Sequence, residues 1–248
     1  MKMDLQGKVA IVTGGGGDIG EEICTLLTLE GTRVAVVDID FNCAKSVANK
    51  ICHQAGTAFP IQCNVVKSCE VNQMVKKLIK QESKIDILVN NAGIGQDKPL
   101  QKISDEEWER MIAVHLGGTF YCTRAVVKAM IKSKRRGKVI NMSSTAPLVG
   151  LKGTPHYCAA KAGIIGLTRA LAHDLASFKI TVNAIAPGFV DTNMLSGWTQ
   201  EKRHAVREKI PLKRLATPAE IASLVVYLAS PKADYITGEI ISINGGLF

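Results

Sequence analysis

Tyr157 and Lys161 stand four residues apart in the run Tyr157-Cys158-Ala159-Ala160-Lys161. On a helix that spacing puts both side chains on one face, one turn apart. A tyrosine held beside a fixed ammonium favours its phenolate. The Tyr157 pKa is therefore expected to fall from the reference value of about 10 toward working pH, which suits a general acid or base. Ser144 lies thirteen residues before Tyr157, after the apolar pair Val139-Ile140 and before a loop holding Pro147 and Gly150. Its hydroxyl can reach a substrate oxygen that the tyrosine also contacts. A Tyr-x-x-x-Lys pair alone also occurs on solvated helix faces, so the elements that carry it have to decide.

Residues 8–13 read KVAIVT, an apolar run without alternation. Such runs fit a parallel strand covered on both faces. The run enters Gly14-Gly15-Gly16-Gly17-Asp18-Ile19-Gly20 and then a helix through about residue 30. Strand, glycine turn and helix N-terminus together make an anion site suited to a pyrophosphate, with Gly14, Gly17, Asp18 and Ile19 as its candidates. Residues 33–37 form the second strand, and Asp38 ends it, twenty-four residues beyond Gly14. An acid there accepts bonds from ribose hydroxyls and repels a 2′-phosphate, which favours NAD(H) over NADP(H). Asp40 adds to the repulsion, and no arginine follows Asp38 directly.

Farther along, residues 41–54 look helical and 58–65 read as a third strand ending in Cys63-Asn64-Val65. A helix over 71–82 follows, then a fourth strand over 86–89 that runs into Asn90-Asn91-Ala92-Gly93. Small residues there let the backbone approach a ligand. Ser104 and Glu107 form a capping box at the start of a long helix. That helix carries Trp108, Met111, Ile112, His115 and later Val126, Val127 and Met130. Gly117-Gly118 in its middle cost about 1 kcal/mol each against alanine and predict close packing or a local irregularity. The fifth strand, 138–142, delivers Ser143-Ser144; a helix over 157–176 and a sixth strand over 180–186 follow, ending in Pro187-Gly188.

The pattern loosens over 189–211, a candidate substrate lid. It carries apolar Phe189, Val190, Met194, Leu195 and Trp198, a hint of a partly apolar ligand. Thr217-Pro218-Ala219-Glu220 opens a capped helix, and 240–243 closes as a seventh strand. There is no internal repeat or second domain. The expectation is one α/β domain over 1–248: a doubly wound Rossmann fold with a seven-stranded parallel sheet and helices on both faces.

The totals narrow the function classes. No apolar run approaches the roughly 20 residues needed to span a bilayer, and residues 1–8 show no secretory or transit pattern. Seven cysteines are scattered without Cys-x-x-Cys or paired histidine spacing, so neither a disulfide framework nor a metal site is expected and the setting is cytoplasmic. Thirty-one Lys+Arg against twenty-two Asp+Glu give +9. The densest basic run, Lys132, Lys134, Arg135, Arg136 and Lys138, has no interleaved aromatics. Single-stranded nucleic acid is not indicated, and a solvated helix end explains the run as well as a docking patch does.

These residues resemble the short-chain dehydrogenase/reductase family over essentially the whole chain. The resemblance rests on Thr13-Gly14 with Gly20, Asn90-Asn91-Ala92-Gly93, Ser144, Tyr157 with Lys161, Asn183, and Pro187-Gly188 with Thr192. It also covers Tyr235-Ile236-Thr237-Gly238 and the tail Asn244-Gly245-Gly246. It implies a nicotinamide enzyme that interconverts a secondary alcohol and its ketone. Tyr157 would pass the proton, Lys161 would lower its pKa and hold the nicotinamide ribose, and Ser144 would orient the substrate oxygen. Asn91, Ala92 and Gly93, with Asn64 and Val65, would line the adenosine side. Asp38 would take the adenine ribose, and Pro187, Gly188, Val190 and Thr192 would serve the nicotinamide end. Homotetramers are usual in the family.

Within the family the chain looks most like 3-oxoacyl-carrier-protein reductases, which would make an acidic acyl-carrier protein a partner for Lys134 and Arg135. Those reductases usually use NADPH, whereas Asp38 argues for NADH. A dehydrogenase of a diol, sugar alcohol or hydroxy acid is the alternative. A non-catalytic NAD-binding regulator is disfavoured by the intact Ser144, Tyr157 and Lys161. Two departures stand out. Asp18 replaces a customary glycine, tolerable where aspartate accepts a left-handed backbone. His115 replaces the asparagine that usually holds a relay water. Its ring could take over that relay and titrate near neutrality, or it could be a histidine satisfied in a helix contact.

Overall fold

The computed structural model describes residues 3–248. Seven strands form one parallel sheet in the order β3-β2-β1-β4-β5-β6-β7. They are β1 (Val9–Thr13), β2 (Arg33–Asp38), β3 (Thr57–Gln62), β4 (Ile87–Asn90), β5 (Gly137–Met142), β6 (Ile180–Pro187) and β7 (Ile240–Ile243). The strand order reverses between β1 and β4, where the crossovers diverge to leave a crevice at the carboxyl ends.

Helices cover both faces. On one side α1 (Asp18–Leu29), α2 (Phe41–His53) and α9 (Pro218–Ala229) bury Ile23, Leu27, Val47, Ile51 and Val225 against the sheet. On the other, α3 (Ser68–Glu82), α5 (Gly118–Lys132) and α7 (Pro155–Leu175) bury Val71, Leu78, Val126, Met130 and Leu175. Two apolar faces explain why β1 reads as an unbroken apolar run. A polar chain crosses the second interface. Asn90 and Asn141, opposite each other on β4 and β5, are joined by Asn90 Nδ2 donating to Asn141 Oδ1 at 2.8 Å. Asn90 Nδ2 also donates to Thr123 Oγ1 on α5 (2.9 Å), and Asn141 Nδ2 to Thr168 Oγ1 on α7 (2.9 Å). Those bonds fix the rotation of α5 and α7 on the sheet, since buried amides left unpaired would be costly.

Three boundaries differ from expectation. β3 ends at Gln62, so Asn64 and Val65 lie beyond its carboxyl end; Pro60 within it is tolerated because β3 is an edge strand. The helix opened by Ser104 is divided: α4 (Asp105–Ile112) passes through one π turn (Ala113–Gly117) into α5. The glycine pair marks this irregularity, and a Cβ on Gly118 would lie 2.8 Å from Val65 Cγ2. Finally, the stretch after β6 is not all loop. It forms a short turn at Asn193–Leu195 and a ten-residue helix α8 (Gln200–Lys209). α6 (Ala146–Val149) is a single turn after β5.

Candidate active site

β5 and α7 bring the serine, tyrosine and lysine together. Ser143 Oγ donates to Lys161 O at 3.0 Å, and Lys161 Nζ donates to Met142 O at 2.6 Å. Both bonds tie the strand end to the helix face that carries Tyr157. Lys161 Nζ lies 5.7 Å from the centre of the Tyr157 ring. Ser144 is half-buried beside it, its Oγ accepting from Ala146 N at 3.0 Å.

The electrostatics correct one expectation. Burial pushes the Tyr157 phenol above its ordinary value, and the neighbouring Ser144 hydroxyl pulls only weakly the other way. Lys161 takes the opposite strain: burial lowers it to about 7. A depressed lysine carries less charge at neutral pH, so in the ligand-free protein it favours the Tyr157 phenolate less than a full ammonium would. Tyr157 therefore keeps its proton, which suits an acid.

His115 sits in the π turn, 2% exposed, with its ring edge-on to Tyr157 at 5.3 Å between centres. Its Nε2 lies 2.9 Å from Ile94 O and 3.2 Å from Ile94 N, and its Nδ1 has no partner among the described residues. Burial, then the Lys161 charge, lowers its pKa to about 3. Of the two readings of His115, burial speaks against the ring that titrates near neutrality, and Lys161 bonds Met142 rather than His115. The ring is a neutral wedge between the segment after β4 and Tyr157.

The nucleotide half is assembled at the crevice. Gly14 has φ +62°, and a Cβ there would lie 2.8 Å from Ala92 Cα. Asn91 fastens this approach: its Nδ2 donates to Thr13 O (3.1 Å) and Gly14 O (3.0 Å), while the Asn91 and Ala92 amides donate to Thr13 Oγ1. Asn91 thus holds the glycine turn. Gly17 caps α1 without any side-chain bond, leaving the first-turn amides near Ile19 open to an anion. Asp38 is pinned through both oxygens, Oδ2 accepting from Gly16 N (3.0 Å) and Oδ1 from Asp40 N (3.1 Å).

Asp18 is the first helical residue and not a left-handed one; its carboxylate accepts from Asn193 N (2.6 Å) and Asn193 Nδ2 (2.8 Å). The charge is turned onto the segment after β6. Pro187 O accepts from Thr145 N (3.0 Å), Gly188 N donates to Ile243 O (2.9 Å), and Val190 bridges to Ala216. Thr192, two residues on, turns its Oγ1 back toward Val190 O at 3.5 Å. Asn64 Oδ1 accepts from Val66 N, and Val65 packs on Gly118. The donors and close backbone at the crevice fit a dinucleotide. Asn183, by contrast, is spent on the fold: its Nδ2 donates to Ile236 O and its Oδ1 accepts from Glu239 N.

A family model described as enoyl-(acyl carrier protein) reductase matches residues 16–248. A solved short-chain type dehydrogenase/reductase from Mycobacterium marinum superposes with a TM-score of 0.95 at 32% identity, covering 99% of this chain and 97% of that one. The chain belongs to the short-chain dehydrogenase/reductase family. Among curated relatives, the 3-oxoacyl-[acyl-carrier-protein] reductase FabG of Aquifex aeolicus is 39% identical over 100% of both chains. That of Thermotoga maritima is 38% identical over 99% of each, and that of Staphylococcus epidermidis 41% over 97% of this chain and 99% of its own. As a short-chain dehydrogenase/reductase the protein is an oxidoreductase of the CH–OH/C=O couple that calls for a nicotinamide cofactor. No described helix is long and apolar enough to cross a membrane.

Sequence reasoning passed over Gln96, Asp97 and His156. Gln96 and His156 lie sixty residues apart, and no local pattern links them. The available signal was only that His156 directly precedes Tyr157 and Gln96 closely follows Gly93.

Proposed function

We propose that the protein reduces 3-oxoacyl thioesters, held on an acyl-carrier protein, with NADH as the preferred reductant. The observation that carries this reading is the pair of bonds from Ser143 Oγ to Lys161 O and from Lys161 Nζ to Met142 O, which tie the end of β5, where Ser144 follows, to the helix that bears Tyr157 and Lys161. When bound, a reduced nicotinamide supplies the hydride that the carbonyl carbon receives. Everything else falls to the chain. Ser144 orients the ketone oxygen, and Tyr157 gives that oxygen its phenolic proton, so the product is the 3-hydroxyacyl thioester. A phenol pushed up by burial is protonated at neutral pH and ready to donate. Lys161 then stabilises the phenolate left behind until a proton returns.

The names of the curated relatives weigh toward a 3-oxoacyl thioester over a diol, sugar alcohol or hydroxy acid. Asp38 supports NADH, because its carboxylate, fixed through both oxygens at the end of β2, would repel a 2′-phosphate. The segment 189–211 is read as the substrate lid: Met194 reaches Gly95, and the Phe189 ring packs at a tilt of 60° against Trp198, 5.8 Å between centres. For the carrier, Arg136 and Lys138 are already paired with Asp234 at 3.1 and 2.7 Å. Lys132, Lys134 and Arg135 remain exposed for an acidic surface. A homotetramer in a cytoplasmic setting completes the reading; Phe120 on α5 and Phe178 after α7 expose apolar surface for such contacts.

The test pairs two substrates. Lys134→Glu with Arg135→Glu should lower kcat/KM for a carrier-bound 3-oxoacyl group by about tenfold, as expected when rim charges steer association, and spare a small 3-oxoacyl thioester. Equal effects on both substrates, or no thioester reduction by the wild type, would reject the carrier reading.

A further inference from the structure

The segment after β4 touches two parts of the molecule in alternation. Gly95 and Asp97 face the candidate lid: a Cβ on Gly95 would lie 3.0 Å from Met194, and Asp97 pairs with Lys202 of α8 at 3.1 Å. Gln96 and Lys98 face the other way, toward α4 and the start of α7. Gln96 Nε2 and Lys98 Nζ both donate to Glu107 Oε1, at 2.7 and 2.6 Å. Gln96 Oε1 lies 3.1 Å from His156 Nε2, and Lys98 N donates to Gly153 O at 2.6 Å. Glu107 anchors the set. Lys98 first, then the Ser104 amide and Gln96, hold its carboxyl down at about 2, so it is an acceptor at every working pH. A carboxylate can only take the nitrogen end of the Gln96 amide. The amide oxygen is left for His156, whose Nε2 must then be the donor.

The place of this chain of bonds gives it a consequence. Tyr157 is the third residue of α7, and the Thr154 hydroxyl at the N-cap bonds no backbone amide of the first turn; it meets Leu151 O at 2.9 Å and Cys158 Sγ at 3.4 Å. An uncapped first turn is where a helix frays. The turn is held from outside instead, by the Lys98–Gly153 backbone bond and by His156, whose side chain is 0% exposed. The lid-facing pair Asp97–Lys202 is solvent-exposed on both partners and screened by water. The half-buried side of the segment therefore carries more of its constraint.

We infer that Gln96 and His156 are positioning residues for the acid: their hydrogen bond, set by Glu107, holds the first turn of α7 so that the Tyr157 hydroxyl meets the substrate oxygen. This rests on the reading of Tyr157 as proton donor. His156→Leu should lower kcat about tenfold, the worth of one buried hydrogen bond, with KM for the ketone within about twofold. His156→Gln keeps an N–H for Gln96 and should restore kcat to within about twofold of wild type. Gln96→Leu, at a half-buried position, should copy His156→Leu, and the double variant should be no slower than either single one.

Hydrogen exchange over residues 154–161 supplies a readout independent of turnover. The Cys158 amide, bonded to Thr154 O at 2.8 Å, should exchange faster in His156→Leu and regain protection in His156→Gln. Wild-type kcat and protection in His156→Leu would overturn the inference. So would a loss confined to KM, or losses that multiply in the double variant. If the wild type reduces no ketone at all but exchange responds as described, the positioning stands and the proposed activity falls.

Discussion

Around Gly14 the hydrogen bonds have a backbone group at one end: Asn91 Nδ2 on the turn carbonyls, the Asn91 and Ala92 amides on Thr13 Oγ1, and the Gly16 amide on Asp38. Around Tyr157 they run from side chain to side chain across long stretches of sequence: Glu107 to Gln96, Gln96 to His156, with His115 against the tyrosine ring. The two ends of the same crevice are thus built differently. The nucleotide end needs close approach and unpaired amides, which glycines supply locally. The substrate end needs a buried phenol at a fixed place, and burial alone opposes ionisation there. The nucleotide end should therefore be sensitive at Thr13, Asn91 and Asp38, whose side chains hold the turn, and the substrate end along Glu107, Gln96 and His156.

The sharpest test of that difference is Tyr157→Phe. The ring and its contact with His115 remain while the proton goes, so kcat should fall by about 10²–10⁴-fold, the usual worth of a positioned acid. NADH affinity, measured by fluorescence titration, should stay within about twofold, since a lone neutral hydrogen bond is worth little net. Activity within tenfold of wild type would place the acid elsewhere.

At the other end, Asp38→Ala should leave the fold intact and reduce the preference for NADH over NADPH by about tenfold or more in kcat/KM, roughly 1.4 kcal/mol. A wild type that already prefers NADPH would remove the role given to that carboxylate.

A smaller effect concerns stability. Lys161 is lowered from the ordinary 10.5 to about 7 in the folded protein. Between those values the unfolded chain binds the extra proton, so stability from this group rises with pH across that window and is constant below it. Lys161→Met removes the dependence. Without cofactor, the melting temperature of wild type relative to Lys161→Met should climb between pH 7 and pH 10.5. A flat difference would mean that the ammonium is not desolvated.

The least effect is expected for His115→Asn. With His115 lowered to about 3, the imidazole is neutral throughout the working range, so the kcat profile between about pH 5 and 8 should keep its shape in the variant. A limb that vanishes on substitution would restore a titrating relay.

Much of this molecule was legible in its chain. Unbroken apolar strands separated by helical stretches specify a doubly wound parallel sheet, because only a two-faced sheet buries them. The glycine run after β1, the acid ending β2 and the Tyr157–Lys161 spacing are local patterns, and local geometry turns each into a placed group. The pair Gly117-Gly118 even marked the π turn. Tertiary structure decided the rest. The sense of the Tyr157 shift depends on how much protein covers the phenol and the lysine together. The direction taken by the Asp18 carboxylate depends on Asn193, 175 positions away. The link from Gln96 to His156 joins segments that meet only when α4 and α7 dock beside the end of β4. Burial and long-range side-chain pairing are properties of the assembled core, and no window of sequence contains both partners.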